Sequence, residues 1–416
     1  MKKELLMKKY KWFYIIGSIL IVIATSAYFL PRLILYMAYS PHLGEKEVQL
    51  IENIPKATDA LNMKNGKYVL AFSELRSMNE ANTGAFYIID EAGNFLSQST
   101  KQDLAEPISM TSTNNQAYVV NNRSSQRSSI DLKTGKIESI NLNKNTSHSF
   151  SIQSNDDYVI YDIAGDLKSG QKLVYWQRNQ PSNKKSLTIP HGFTHSIHIE
   201  KDAAYITTAD PDAIAYIHHI DLKSEEVVSS KKLELDDEEY SKSGLPGNPA
   251  LVFYKDYLYY AVNQVRTGAD DHTVINAGKL VKIDPKTLEI VKKIPIGDEN
   301  FNPDSLAVVN HQLVILSGYL ETYVMNEQEQ IQKRTFKIPK NQRSALDQKS
   351  TLTEQITVKG NKAYIFTMYD LRNSKDDENI RGEINEFNLE NGEQLSRTII
   401  HMPVSSYLIM TFAVIE

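Results

Sequence analysis

The sequence predicts an all-β protein, a β-propeller of about seven blades that follows a single N-terminal transmembrane helix. Three observations predict this architecture: short runs rich in Tyr, Val, Ile, Phe and Thr, a turn phrase that recurs between them, and one long uncharged stretch near the N-terminus. After residue 66 no long stretch keeps a helical period, and turn residues interrupt the apolar runs every eight to twelve residues or so. This pattern is typical of an all-β sandwich, barrel or propeller.

The first residues of the 416-residue chain differ from the rest. Residues 1–11 form a basic tail with five lysines, and the 19-residue run 12–30 carries no charged side chain. A helix of this length spans roughly 30 Å, the thickness of a hydrocarbon core. Because lysine clusters stay in the cytoplasm, we expect 12–30 to be a single-pass anchor in the cell membrane. Residues 31–66 then form a juxtamembrane linker, and 67–416 form an ectodomain outside the cytoplasm.

A cleaved signal peptide is the alternative interpretation of the N-terminus. The small residues Ala24 to Ala27 resemble a cleavage site, but apolar sequence resumes at Tyr28 and again from Leu33 to Met37. A mature N-terminus is usually polar at this point. The pattern therefore favours an uncleaved anchor.

Composition limits the function. There is no cysteine, which excludes disulfides, thiolate metal sites, a cysteine nucleophile and a lipid-modified cysteine. The whole chain has a net charge of −5 although residues 1–40 carry +5, so the remainder is acidic. An acidic ectodomain argues against a nucleic-acid partner. The richness in Lys, Asn and Ile without cysteine fits a Gram-positive surface protein, which we expect to be monomeric.

The recurrent turn phrase distinguishes a propeller from the other all-β folds. It consists of an apolar strand, Asp or Asn, two or three residues, and Gly or a substitute, as in Ile130 to Gly135. Asp accepts backbone hydrogen bonds where the turn begins, and Gly supplies a positive φ near its end. A second hairpin signal precedes each copy, so each unit has four strands, A to D, which is the size of a blade. The units are placed at 67–102, 106–143, 148–190, 194–235, 248–297, 303–339 and 352–402.

The two ends of the repeat predict how the ring closes. The first unit begins with its second strand, Lys67 to Ser73, and one apolar strand, Tyr407 to Ile415, follows the seventh unit. Giving this last strand to the first blade as its inner strand closes the ring and removes the open edges.

The phrase apolar-Asp-x-x-Thr-Gly resembles the blades of bacterial quinoprotein-like and surface-layer (YVTN-type) propellers. The resemblance covers residues 67–416 and implies a fold, not an activity. The tryptophans with which quinoprotein dehydrogenase blades dock are missing, since only Trp12 and Trp176 occur. No cofactor is therefore expected.

One face of the ring is expected to carry the binding site. The A–B and C–D turns are short, whereas the B–C loops are longer and share the opposite face with the D–A crossovers. Long loops on one side of a rigid scaffold are where binding usually occurs. The candidate ligand-binding residues of this face are Arg266, Asp270, Asp271, His272, Asn302, Asp304, Glu354, Asp370, Arg372 and Asp376.

Two further kinds of site were considered. His191, His195 and His198 form the densest histidine cluster, but residues 195 and 198 point to opposite sides of a strand, so ordinary contacts are favoured over a metal site. No catalytic motif is present in the sequence. We therefore expect a non-catalytic binding or scaffold module for an extracellular protein, peptide or cell-wall glycan. The alternative is an extracellular propeller enzyme, a glycan lyase or hydrolase, with its site at the channel mouth.

Overall fold

A computed structural model provides the three-dimensional structure of the chain. The residues that it describes are 56–74, 84–101, 107–113, 115–121, 126–141, 151–163, 171–210, 212, 214–235, 242–244, 250–267, 274–297, 301, 303–317, 320–340, 351–369, 380–401 and 407–415.

The described strands form seven antiparallel sheets arranged as the blades of a β-propeller, which confirms the predicted all-β fold and its seven blades. Within a blade we name the strands A to D in their order from the channel outward. In chain order the strands are β1 (Tyr68–Glu74), β2 (Gly84–Ile89), β3 (Phe95–Lys101), β4 (Pro107–Thr113), β5 (Gln116–Asn121), β6 (Gln126–Asp131), β7 (Ile137–Asn141), β8 (Ile152–Ser154), β9 (Tyr158–Ile163), β10 (Gln171–Gln177), β11 (Lys185–Ile189), β12 (Phe193–Glu200), β13 (Ala203–Ala209), β14 (Ala215–Asp221), β15 (Glu226–Lys232), β16 (Lys242–Gly244), β17 (Leu251–Tyr254), β18 (Tyr257–Thr267), β19 (Val274–Ile283), β20 (Ile290–Ile296), β21 (Ser305–Val309), β22 (Gln312–Ser317), β23 (Glu321–Met325), β24 (Ile331–Thr335), β25 (Thr351–Lys359), β26 (Lys362–Tyr369), β27 (Ile380–Asn388), β28 (Gln394–His401) and β29 (Tyr407–Val414).

Blade 1 combines the two ends of the ring. Its strand order is β29-β1-β2-β3, so the last strand of the chain is its A strand. Tyr68 of β1 pairs with Val414 of β29, and the register continues to Glu74 opposite Tyr407 with one irregularity after Ala71. Blades 2, 3, 4, 6 and 7 each use four consecutive strands, β4–β7, β8–β11, β12–β15, β21–β24 and β25–β28.

The core lies between neighbouring blades rather than in one central mass. Alternate residues of each strand face opposite sides of the sheet, and both sides of a blade are covered by its neighbours. Strands that are covered on both sides are mostly apolar along their whole length. An example is β9, in which all six residues are buried. Between blades 7 and 1, for example, Tyr68, Phe366 and Phe412 belong to one buried cluster. The A strands of successive blades contact each other from blade 7 through blade 1 to blade 6.

Blade 5 departs from the repeat. Its inner strand is split into β16 and β17, which pair with different parts of β18: Gly244 lies opposite Asn263, and Leu251 lies opposite Tyr260. The sequence placed the start of this unit at residue 248 and did not predict β16. The extra segment supplies partners for the long end of β18, which would otherwise present an open edge.

The C–D turns follow the predicted chemistry. Asp131 Oδ1 accepts hydrogen bonds from the backbone N–H groups of Lys133 (2.9 Å) and Thr134 (2.8 Å). Gly135, four residues after the Asp, has a φ of 73°. Where the repeat lacks Gly, Glu225 and Leu288 adopt the same left-handed conformation, with φ values of 64° and 57°. The turn geometry is thus kept even at the cost of strain in a residue with a Cβ.

Replacement of Gly135 tests how much this turn depends on glycine. In Gly135→Ala the new Cβ would overlap the carbonyl oxygen of Leu61, besides occupying a left-handed conformation. We expect a loss of unfolding free energy of about 2 kcal/mol or more, measured by urea denaturation. Gly360→Ala is the matched control, because Gly360 has a φ of 57° but nothing within contact distance of its added Cβ. Equal losses in both variants would contradict the importance of the Leu61 contact.

Residues 56–66, which the sequence assigns to the linker, lie against blades 1 and 2. Leu61 is buried between these blades, and its N–H donates to the carbonyl of Gly135 at 2.9 Å. The N–H of Asn62 donates to Ser97 Oγ at 2.8 Å. The helix expected at 12–30 lies outside the described residues. Within the part of the chain that is described, no helix has the length and apolar character needed to cross a bilayer.

Candidate functional site

The two faces of the ring differ in how their connections are built. We call the side with the A–B and C–D turns the turn face, and the side with the B–C and D–A connections the loop face. Seven residues or fewer separate the strands at each C–D turn. The loop face carries longer connections, such as the ten residues 370–379 in blade 7, and the six residues 268–273 of blade 5 join the long strands β18 and β19.

The strands of blades 5 and 7 reach further toward the loop face than those of blade 6. Each B strand starts directly after an A–B turn, so its length measures its reach. β18 has 11 residues and β26 has eight, whereas β22 of blade 6 has six. At about 3.3 Å per residue, β18 extends on the order of 16 Å beyond β22. The connections 268–273 and 370–379 therefore lie at strand ends that extend beyond those of the shorter blade 6 between them.

Most of the predicted ligand-binding residues belong to connections that lie outside the described residues: Asp270, Asp271, His272, Asn302, Asp370, Arg372 and Asp376. The other three are placed at backbone level on three successive blades. Arg266 lies near the end of β18, opposite Ile275. Asp304 precedes β21, is half-buried, and donates its N–H to the carbonyl of Leu316 at 2.8 Å. Glu354 lies in the loop-face half of β25, opposite Thr367.

A buried ion pair supports the base of the 370–379 connection. Glu383 on β27 is fully buried and accepts hydrogen bonds from Arg397 Nε (3.0 Å) and Nη2 (2.6 Å). Asn385 Nδ2 donates to the other carboxylate oxygen at 2.7 Å. Burial, followed by the adjacent negative charge of Glu383, raises the pKa of Tyr369, the last residue before the connection. These contacts hold both strands from which the connection leaves.

A second buried polar network joins blades 3 and 4 near the loop face. Asp162 accepts the N–H of Ser151 at 2.6 Å and Gln171 Nε2 at 2.8 Å. Gln171 Oε1 in turn accepts the N–H of Thr194, the second residue of β12 in the next blade, at 2.7 Å. Burial lowers the pKa of Arg127 in blade 2, which the charge of Asp162 partly offsets. The network satisfies buried backbone groups, so its role is to fix blade ends.

The three histidines proposed as weak metal-ligand candidates share no partner among the described contacts. His191 is exposed and stacks on Tyr216 with ring centroids 4.3 Å apart. His198 Nε2 lies 3.7 Å from Glu200 Oε2. Burial lowers the pKa of His195. Among the described residues, no group of three His, Asp or Glu side chains is arranged to hold a metal ion.

Sequence reasoning did not single out His218 as a core residue. It is fully buried, with Nε2 2.9 Å from Thr208 Oγ1 and Nδ1 2.8 Å from Ser230 Oγ. Burial lowers its pKa to about 4, so it is neutral near pH 7. A polar residue in an alternating strand predicts a solvent-facing position, and only the contacts across blade 4 identify this one as internal.

Comparison with known proteins gives no family for this chain. No family model and no curated protein matches the sequence. Among solved structures, apo AztD from Citrobacter koseri is similar at 10% identity, over 84% of this chain and 98% of that chain, with a TM-score of 0.44. The β-propeller domain of the Trilobed protease from Pyrococcus furiosus is similar at 11% identity, over 70% and 84% of the two chains, with a TM-score of 0.41. A functionally unknown protein from Desulfotomaculum acetoxidans shares 10% identity over 84% and 98%, with a TM-score of 0.45.

Proposed function

We propose that this chain is a non-catalytic binding module, anchored in the cell membrane by residues 12–30, whose loop face lies outside the cytoplasm and engages a protein, peptide or cell-wall glycan. The contact is made by the loops 268–273 and 370–379 of blades 5 and 7. Residues between them, at the start of blade 6, complete the contact.

The main support for this proposal is that the strands of blades 5 and 7 extend further toward the loop face than those of blade 6. β18 and β19, with 11 and 10 residues, and β25 and β27, with nine each, exceed every strand of blade 6. Loops that are raised on rigid strands and flank a lower blade are a favourable arrangement for binding.

The charge pattern favours a polar partner. The loop of blade 5 combines Arg266 with Asp270 and Asp271, and that of blade 7 combines Asp370 with Arg372. Mixed charge of this kind gives orientation and specificity to a complementary polar surface. It suits a hydroxyl-rich polymer or a charged protein patch better than an apolar ligand.

Shortening the two loops tests the proposal. In the full-length chain, 268–273 and 370–379 are each replaced by a short Gly-Ser linker that joins the described strand ends. Binding is measured by cosedimentation with purified cell-wall sacculi and by capture of solubilised envelope proteins. We expect the affinity to fall tenfold or more, which corresponds to about 1.4 kcal/mol.

Charge reversals on the turn face provide the control. Lys133→Glu and Lys286→Glu alter exposed residues of the C–D turns in blades 2 and 5 and leave the capping residues Asp131 and Asp284 in place. Their affinity should remain unchanged. The proposed site would be overturned if these variants lost binding while the loop replacements left the affinity unchanged. Recovery of a soluble protein with a new N-terminus near Tyr28 would overturn the proposed anchor.

A further inference from the structure

One C–D turn of the ring departs from the repeat. Seven residues, 178–184, separate β10 from β11 in blade 3, and Gln177, opposite Tyr158, stands where blades 2, 4 and 5 have the capping Asp. The turn is nonetheless well held. Arg178 Nη2 donates to the carbonyl of Thr113 in blade 2 at 2.9 Å, and its N–H donates to the carbonyl of Asp157 at 2.8 Å. These hydrogen bonds fix the start of the longer turn on the turn face.

This turn forms one wall of a cavity between blades 3 and 4. The cavity has a volume of about 170 Å³. It is smaller than the roughly 300–1,000 Å³ of drug-sized pockets, so it suits a single small ring. Its lining combines amide and phenol groups with one apolar side chain and two lysines: Tyr158, Tyr175, Gln177, Gln180, Asn183, Leu222, Lys185 and Lys223.

One lining residue has an unused hydrogen-bonding group. Tyr175 is 1% exposed, and its hydroxyl is buried without a hydrogen-bond partner among the described residues. A buried hydroxyl that lacks a partner destabilises the folded state, because its lost hydration is not replaced. Burial, followed by the nearby charge of Glu225, raises the pKa of this hydroxyl to about 12, so it stays protonated near pH 7. The neighbouring Tyr158 hydroxyl, by contrast, already donates to Asp202 Oδ1 at 3.0 Å.

The charges around the cavity are already paired. Lys185 Nζ lies 2.8 Å from Glu225 Oε1, and Lys223 Nζ lies 2.6 Å from Asp202 Oδ2. An anionic ligand would have to compete with these carboxylates. The other polar groups are amides: Gln177 Nε2 donates to the Tyr158 hydroxyl at 3.3 Å, and Asn183 Nδ2 donates to Gln180 Oε1 at 3.5 Å. Each amide has more donors and acceptors than these bonds use.

We propose that this cavity, which we call the blade 3–4 pocket, binds one neutral sugar residue. Side-chain amides of Gln177, Gln180 and Asn183 match the alternating donors and acceptors of sugar hydroxyls. Leu222, Tyr158 and Tyr175, each 3% exposed or less, form the buried floor beneath the ring, and the Tyr175 hydroxyl is the floor group that gains an acceptor. The site lies on the turn face, so it is independent of the loop-face function proposed above.

Saturation-transfer NMR titration of the purified full-length chain tests the proposal. The probes are glucose, galactose and N-acetylglucosamine, with inorganic phosphate as the charged comparison. A detergent without a sugar head group is needed, because maltosides would occupy the pocket. At least one hexose should bind with a millimolar dissociation constant. Gln180→Ala combined with Asn183→Ala should weaken this binding at least tenfold.

Tyr175→Phe separates binding from folding. It removes only the hydroxyl that lacks a partner, so the melting temperature should stay equal or rise while hexose binding falls. Tyr161→Phe, which removes another buried hydroxyl without a partner among the described residues, and Gln328→Ala, an exposed amide in the C–D turn of blade 6, are the matched controls and should bind normally. The proposal is overturned if no hexose binds, if phosphate alone binds, or if the pocket variants and the controls bind equally.

Discussion

A chain that lacks residues 404–416 should fail to form a cooperatively folded ring. The deletion removes β29, the A strand of blade 1, which pairs along the whole length of β1. Phe412 and Val414 are 1% and 2% exposed in the core between blades 7 and 1. Loss of a buried Phe alone costs about 3–5 kcal/mol, and the unpaired backbone groups of β1 add to this. The sum is comparable with the roughly 5–15 kcal/mol that stabilises a typical domain.

Complementation distinguishes loss of the strand from other damage. Thermal unfolding followed by circular dichroism should show no sharp transition for the truncated chain. A synthetic peptide of residues 404–416 should restore the transition, whereas a scrambled peptide should not. If the truncated chain instead melts within a few degrees of the full chain, β29 contributes little to closure.

Replacement of Glu386 should produce the second large effect. This glutamate on β27 is 2% exposed, and its two carboxylate oxygens each lie 2.7 Å from a lysine: Lys362 of its own blade and Lys67 of blade 1. Burial alone would raise the pKa of Glu386, but the hydrogen bonds from Lys362 and Lys67 outweigh it and lower the pKa to about 2. Glu386 therefore joins the seventh blade to the first beside the closing strand.

The pH dependence follows from this lowered pKa. The stabilisation is complete above the unfolded-state value near 4.5 and is lost as the pH falls from 4.5 toward 2. It amounts to at most about 3 kcal/mol, less what solvent screening of the half-exposed Lys362 removes. The Glu386→Gln variant should therefore have a free energy of unfolding that is lower by about this amount at pH 7. The difference between the variant and the unaltered protein should become smaller below pH 4.5. Urea unfolding of the two proteins at pH 7, 4.5 and 3 measures this difference.

Glu393→Gln is the matched control on the same blade. Glu393 pairs with Lys337, but both side chains are more than half exposed, so the change should cost less than about 1 kcal/mol. Equal losses in the two variants, or a gap for Glu386→Gln that widens as the pH falls, would contradict the buried bridge at the seam.

The repeat was predictable because its information is local. An Asp or Asn that caps a turn, often with a Gly four residues later as at Asp131 and Gly135, reveals most C–D turns without knowledge of the neighbouring blades. Counting strands then leaves one A strand missing in blade 1 and one surplus strand at the C-terminal end. The structure pairs these two, β29 with β1.

Other features were hidden because they depend on contacts between distant residues. Lys67 and Glu386 lie 319 positions apart, and nothing in either local sequence indicates the pair. β16 is three residues long and follows no alternating pattern, so only its pairing with β18 identifies it as a strand. The blade 3–4 pocket had a weak signal, since residues 178–184 replace the usual turn phrase. Most of the predicted loop-face residues lie outside the described part of the chain, and their role stays a prediction.

The closure of blade 1 also determines the order in which the ring can be completed. β1 is among the first strands to be synthesised, yet the strand that covers its inner edge lies more than 300 residues later in the chain. At roughly 5–20 residues per second, β1 waits on the order of 20–70 s for its partner. During that time its apolar edge can pair with the last strand of another copy. Crowded synthesis therefore favours exchange of β29 between chains, and blade 1 is the point of the ring most exposed to domain swapping.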